Sequence, residues 1–283
     1  MAAGKKLGAR PDSRRRNAVP QHRHARHPSP RLRGLLLAVA LALALTGGAV
    51  LVPRLRSGPA AVPAGTASTP GRAVVPTASL GPAPTPTPSP AGAGRPADAL
   101  AGWAGPLAAR LDIPEVALQA YGYAELVIAA AQPSCQLHWS TLAGIARIES
   151  DHGRAHATLR PDGRTEPPII GPALDGRDGR LRVADTDGGL LDHDRTLDHA
   201  VGPMQFLPST WHDWAIDADG DGVADPHDLD DAALAAGNYL CSGGRTLSTA
   251  DGWWAALLAY NGIQAYARDV FNAADDYGRR SHD

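Results

Sequence analysis

Leu142-Ala143-Gly144-Ile145-Ala146-Arg147-Ile148-Glu149-Ser150-Asp151-His152-Gly153 reads as an apolar helix that carries a carboxylate in its last turn and stops at a glycine. Leu142, Ile145 and Glu149 share one helical face, so a glutamate stands where the pattern calls for a core residue. The helix dipole is negative at that end and burial disfavours an anion, so both push the glutamate pKa upward. A carboxyl held protonated near neutral pH can serve as a general acid. On this stretch alone, a glutamate that snorkels at a helix end and does nothing further is the more ordinary reading.

Outward from this helix, the 283-residue chain divides by composition, and its net charge of −2 conceals two opposed parts. Residues 1–98 hold 14 Lys/Arg and 2 Asp, whereas residues 99–283 hold 13 Arg and 27 Asp/Glu. An acidic folded part argues against nucleic acid as a partner, because phosphate binding needs a basic surface. Residues 1–33 read as a disordered basic cytoplasmic arm with ten Lys/Arg. Residues 34–52 form an uncharged apolar run of 19 residues, long enough for a transmembrane helix. The charge before it places the N-terminus in the cytoplasm and the rest outside the membrane, as a single-pass anchor. A cleaved signal peptide, leaving a secreted protein, is the alternative. Residues 53–98 are rich in Pro, Ala and Thr and read as a semi-rigid linker.

Residues 99–283 are expected to fold as one mainly α domain with a small irregular or β part. Asp112-Ile113-Pro114-Glu115 reads as a helix start with Asp112 as N-cap, and that helix runs to about Ala131. Ser140 is a candidate cap for the Glu149 helix. Residues 154–202 read as loops with a weak hairpin between Ile169–Asp175 and Arg180–Ala184. Further helices are expected at Ser209–Trp211, from Asp231, over Asp251–Tyr260, and from Ile263 to about Asp275. Cys135 and Cys241, placed outside the cell, predict a disulfide closing a loop of roughly a hundred residues, which contributes about 4–5 kcal/mol.

Asp217-Ala218-Asp219-Gly220-Asp221-Gly222-Val223-Ala224-Asp225 follows the opening of an EF-hand loop. Asp217, Asp219 and Asp221 occupy positions 1, 3 and 5, Gly222 gives the turn, and Val223 offers its carbonyl. Such oxygen ligands select a hard cation, with Ca2+ the best candidate in a structural role. Asp228, Asp230 and Asp231 are all placed to close the loop. The histidines show no zinc-site spacing, and His152, His156, His193 and His199 read as ordinary polar loop residues. No G-x-S-x-G occurs. Gly202-Pro203-Met204-Gln205-Phe206 frames a turn that can present the Gln205 amide to a ligand, and Asn261 or Gly262 caps the helix ending at Tyr260.

Taken in order, Gly144–Ser150, Gly202–Trp211, the Asp217 loop and Ala259-Tyr260-Asn261 resemble the lytic transglycosylases, and in particular the lytic murein transglycosylase B type. The resemblance spans about residues 110–270 and implies a lysozyme-like (α+β) catalytic domain with an EF-hand-like calcium site. It implies that Glu149 is the catalytic acid and base, that Gln205, Tyr260 and Asn261 line the sugar cleft, and that Asp231 rather than Asp228 closes the calcium loop. It implies cleavage of the N-acetylmuramic acid to N-acetylglucosamine bond of peptidoglycan glycan strands with formation of 1,6-anhydromuramyl ends. Two rivals follow: a hydrolytic muramidase on the same fold, and a calcium-stabilised wall-binding module without turnover. The segment 154–198 matches the family pattern poorly.

Overall fold

Helices dominate residues 94–282, the part of the chain that the computed structural model describes. The basic arm, the expected span at 34–52 and nearly all of the linker lie outside the described residues. Among the described residues no helix is long and apolar enough to cross a membrane.

A 3-10 turn, Pro96–Leu100, leads into α1 (Ala101–Leu111). Asp112 ends α1 in the left-handed conformation rather than capping the next helix; α2 (Glu115–Ala131) starts after Pro114, whose fixed φ suits a helix entrance. Gly122 lets α2 approach the preceding residues, since a Cβ there would lie 2.9 Å from the Trp103 ring. Arg95 is also part of the folded unit, although composition assigns it to the linker. Its guanidinium makes a bidentate contact with Asp230 at 2.5 and 2.8 Å, and both side chains are buried.

The helix that bears Glu149 is α3 (Trp139–Ser150). Its N-terminus is not capped by Ser140, which is inside the helix and fully buried. Instead the Glu125 carboxylate of α2 accepts the Trp139 backbone N–H at 2.6 Å, serving from another helix the orphan donor that a local cap would serve. The helix ends one residue earlier than a glycine stop predicts. Asp151 and His152 both take positive φ before Gly153, and the His152 N–H bonds the Ala146 carbonyl at 3.0 Å.

After α3 the chain forms two small antiparallel pairs. Strand β1 (Thr158–Leu159) pairs with β2 (Thr165–Glu166), and β3 (Ile170–Ala173) pairs with β4 (His199–Val201). The hairpin expected between 169–175 and 180–184 survives only as an isolated bridge between Asp175 and Arg182. The principal partner of β3 is the more distant β4, whose Ala200 and Val201 are buried.

Helix α4 (Pro208–Trp214) precedes the acidic loop, and α5 (Leu229–Cys241) follows it. The latter starts before Asp231, with Asp228 as its N-cap accepting the Asp230 N–H at 2.8 Å. A 3-10 turn, Ser242–Gly244, α6 (Ala250–Tyr260) and α7 (Gln264–Arg280) complete the domain, the last helix extending beyond the expected Asp275. Tyr266, Ala267, Val270, Ala274 and Tyr277 form the buried stripe of α7. That stripe packs on α3 at Gly144, where a Cβ would lie 2.8 Å from the Val270 carbonyl oxygen. The expected disulfide is present, and Cys135–Cys241 joins the α2–α3 connection to the end of α5 across 106 residues.

Candidate active site

Glu149 lies at the inner end of α3, partly exposed as a residue but with its carboxyl closely surrounded by protein. The Tyr266 hydroxyl, from the first turn of α7, donates to Glu149 Oε1 at 2.5 Å. Burial raises the Glu149 pKa from 4.5 to about 7, against the Tyr266 hydrogen bond, which favours the anion. Tyr260 is close enough for its own hydroxyl pKa to be pushed up by burial and by the Glu149 charge. The next carboxylate, Asp151, is a different kind of group. Against burial, which raises its pKa, the Arg154 hydrogen bond and the charges of Arg147 and Arg154 hold it below the ordinary range. It therefore stays an ion-paired anion at the C-cap of α3.

The Gly202–Phe206 turn is fastened beside Glu149 from two sides. The Ser150 hydroxyl donates to the Pro203 carbonyl at 2.6 Å, and the Tyr260 hydroxyl donates to the Met204 carbonyl at 2.6 Å. Val201 and Phe206 close the turn with reciprocal backbone hydrogen bonds of 2.8 and 2.9 Å. Gly202 is required there: it takes φ +76°, and a Cβ would come within 1.8 Å of the Pro226 carbonyl oxygen. Gln205 also has positive φ. Its amide nitrogen donates to the Gly202 carbonyl at 2.9 Å, so this donor serves the turn itself, while Oε1 lies over Gly171. Behind the turn, edge-on aromatic contacts run from Trp211 through Phe206, Tyr260 and Tyr239 to Trp214.

Asn261 follows Tyr260 as the C-cap of α6, is buried, and its side-chain oxygen accepts the Ile263 N–H at 3.3 Å. It shapes the corner that delivers Tyr266 to Glu149. His152 corrects the expectation of an ordinary loop histidine. It is fully buried, with Nδ1 3.2 Å from the Tyr121 hydroxyl and Nε2 2.8 Å from the Tyr277 hydroxyl. Burial, with the Arg154 charge, lowers its pKa to about 3, so the ring is neutral and ties the end of α3 to α2 and α7. His199 is likewise engaged, with Nδ1 2.7 Å from the Gly171 carbonyl.

In the acidic loop, carboxylate oxygens of Asp217, Asp219 and Asp231 lie within 4.8 Å of one another. Asp231 is buried, accepts the Ala218 and Asp225 N–H groups at 2.6 and 2.8 Å, and has its pKa raised to about 6 by burial. Asp228 is outside this group. It is buried with one carboxylate oxygen lacking a hydrogen-bond partner, and burial and Asp230 push its pKa to about 8. Asp230 is committed to Arg95. Asp221 faces Arg164 at 2.7 Å instead of joining the trio, and the Val223 N–H bonds Asp221 Oδ1 at 2.8 Å. Gly220 and Gly222 take positive φ where the loop turns. Three convergent carboxylates on such a turn suit a hard divalent cation.

A family model described as a transglycosylase SLT domain matches residues 197–249. That match supports a lytic transglycosylase family. It covers the Gly202 turn, the acidic loop and α5, while Glu149, Tyr260 and Tyr266 lie outside it. The mainly helical fold is compatible with a lysozyme-like domain of this kind. No curated protein and no solved structure matches the chain.

Sequence reasoning missed Tyr266, Ser150 and His152 as parts of this site. Tyr266 carried a signal, because it follows the Tyr260-Asn261 corner and begins an apolar stripe. Ser150 and His152 carried none, since their partners are remote in the chain.

Proposed function

We propose that this protein is a peptidoglycan lytic transglycosylase in which Glu149 is the only acid and base. The observation that carries the reading is the Glu149 carboxyl, with its pKa near 7, at a helix end beside the Gly202–Phe206 turn. Protonated Glu149 gives its proton to the glycosidic oxygen between N-acetylmuramic acid and N-acetylglucosamine as the bond to C1 breaks. The resulting carboxylate then accepts the proton of the muramyl C6 hydroxyl as that oxygen bonds C1. The product is a 1,6-anhydromuramyl end, and Glu149 is protonated again. Two-carboxylate glycosidases need a second group for water or a covalent intermediate. Here the intramolecular hydroxyl takes that part, and Asp151 is engaged with arginines.

Tyr260 and Tyr266 frame the carboxyl, with Gln205 and Asn261 shaping the cleft wall and the chain corner. Asp217, Asp219 and Asp231 would hold Ca2+, with Asp221 and the Val223 carbonyl completing the set. The ion supplies charge that fastens the loop to α5. Residues 34–52 anchor the protein in the cell membrane and the linker carries the domain outward, or signal cleavage releases it.

Digestion of purified peptidoglycan tests the reading. Wild-type protein is expected to release fragments one water lighter than hydrolytic products, and Glu149→Gln none. Reducing ends alone would make the protein a muramidase. Sedimentation with peptidoglycan and no product would make it a binding module.

A further inference from the structure

Arg164 stands immediately before β2 with its guanidinium against three carboxylates of the acidic loop and its exit. It lies 2.7 Å from Asp221, 3.5 Å from Asp225 and 3.9 Å from Asp228. The backbone beside it is held independently: the Thr165 N–H bonds the His227 carbonyl at 3.0 Å and the Leu229 N–H bonds the Gly163 carbonyl at 2.9 Å. Only the side chain is therefore free to exchange partners. Asp221 occupies the fifth position of the loop, where an EF-hand supplies a ligand, yet it stands apart from the trio of Asp217, Asp219 and Asp231. Arg164 and Asp221 are each more than a third exposed, so their ion pair is weak and readily broken.

We propose that the Arg164 guanidinium and a divalent cation compete for the Asp221 carboxylate, so that Arg164 sets the affinity of the loop for the cation. The inference rests on the metal reading above. With Arg164 engaged, the loop offers a cation three carboxylates; when Asp221 turns to the cation it offers four. Breaking the ion pair is part of the free energy of binding, so removing Arg164 tightens binding. Arg160 provides an internal comparison. It lies in the same hairpin but pairs with Asp162 and Glu166, at 3.2 and 2.7 Å, and not with the loop.

Calorimetric titration of the full chain in detergent with Ca2+ alone tests this, with no activity readout involved. Arg164→Gln is expected to bind about two- to fivefold more tightly than wild type, the range set by one exposed ion pair. Arg164→Lys, which keeps the charge but not the planar fork, should fall between them. Arg160→Gln should match wild type, and Asp221→Asn should abolish the gain from Arg164→Gln. Binding by Arg164→Gln with no binding by wild type would support the inference in its strongest form. Unchanged or weaker binding by Arg164→Gln, or an equal gain from Arg160→Gln, would overturn it while leaving the metal reading intact. No binding by any variant would overturn both.

Discussion

The Tyr266 hydroxyl donates to Glu149 Oε1 at 2.5 Å, joining the first turn of α7 to the last turn of α3 across 117 residues. Gly144 makes the approach possible, because α3 and α7 come close enough there to exclude even a methyl group. The carboxyl is thus enclosed enough to raise its pKa and still holds one hydrogen bond that stabilises its anion. Such a group can be acid and then base within one turnover.

Glu149→Gln should stabilise the fold at neutral and alkaline pH. The wild-type carboxyl titrates near 4.5 when unfolded and near 7 when folded, so the unfolded chain releases its proton first. Stability tied to the protonated form is full below about 4.5 and is lost as pH rises through 7. The difference between variant and wild type should open over that window to roughly 1–3 kcal/mol and then stay level. Thermal unfolding at a series of pH values reads it; a constant difference would refute it.

Catalytic efficiency should fall above about pH 7, as the Glu149 acid is lost. Tyr266→Phe removes the hydrogen bond that favours the anion, so its alkaline limb should move to higher pH. Rates on soluble glycan fragments across pH give both limbs.

Acid should loosen the domain through His152. Its pKa is near 6.5 unfolded and about 3 folded, so only the unfolded chain binds that proton between those values. Stability should therefore decline as pH falls from about 6.5 to 3. His152→Gln, which keeps hydrogen-bonding groups but does not titrate, should flatten the decline in urea-unfolding midpoints.

Gly144→Ala should cost about 1–3 kcal/mol of stability. Its added methyl meets the Val270 carbonyl at 2.8 Å and pushes α7 from α3. Activity should fall further than stability explains, because Tyr266 moves with α7. Gly102→Ala, with open space at its Cβ in α1, is the control expected to leave activity unchanged and stability unchanged or slightly raised.

Cys135→Ser combined with Cys241→Ser should cost about 4–5 kcal/mol, since the closed loop spans 106 residues. Denaturant unfolding of oxidised and variant protein measures it.

The glutamate at the end of α3, the Gly202 turn and the spacing of Asp217, Asp219 and Asp221 were legible in sequence, because each signal is local. Helical periodicity, a proline-framed turn and an acidic loop with glycines reveal themselves within a dozen residues. The pairing of β3 was not legible, since its neighbour in space is β4 rather than the nearer segment at 180–184. The entrance of α3 was misplaced because its cap comes from outside. Glu125 serves the start of α3, and no reading of His138–Ser140 could find it.

The amino-acid sequence by itself determined that a mainly helical, acidic domain carries one glutamate where an acid is useful, because side-chain periodicity and turn chemistry act over short distances. Only the tertiary structure decided what surrounds that glutamate. Tyr266 bonds it, Ser150 and Tyr260 fix the turn beside it, and His152 locks the helix end between two tyrosines. Likewise the structure diverts Asp221 to Arg164 while bringing Asp231 to Asp217 and Asp219. The reason is physical: a pKa, a hydrogen bond or a ligand set depends on what lies within a few ångströms, and folding brings those groups together from distant parts of the chain.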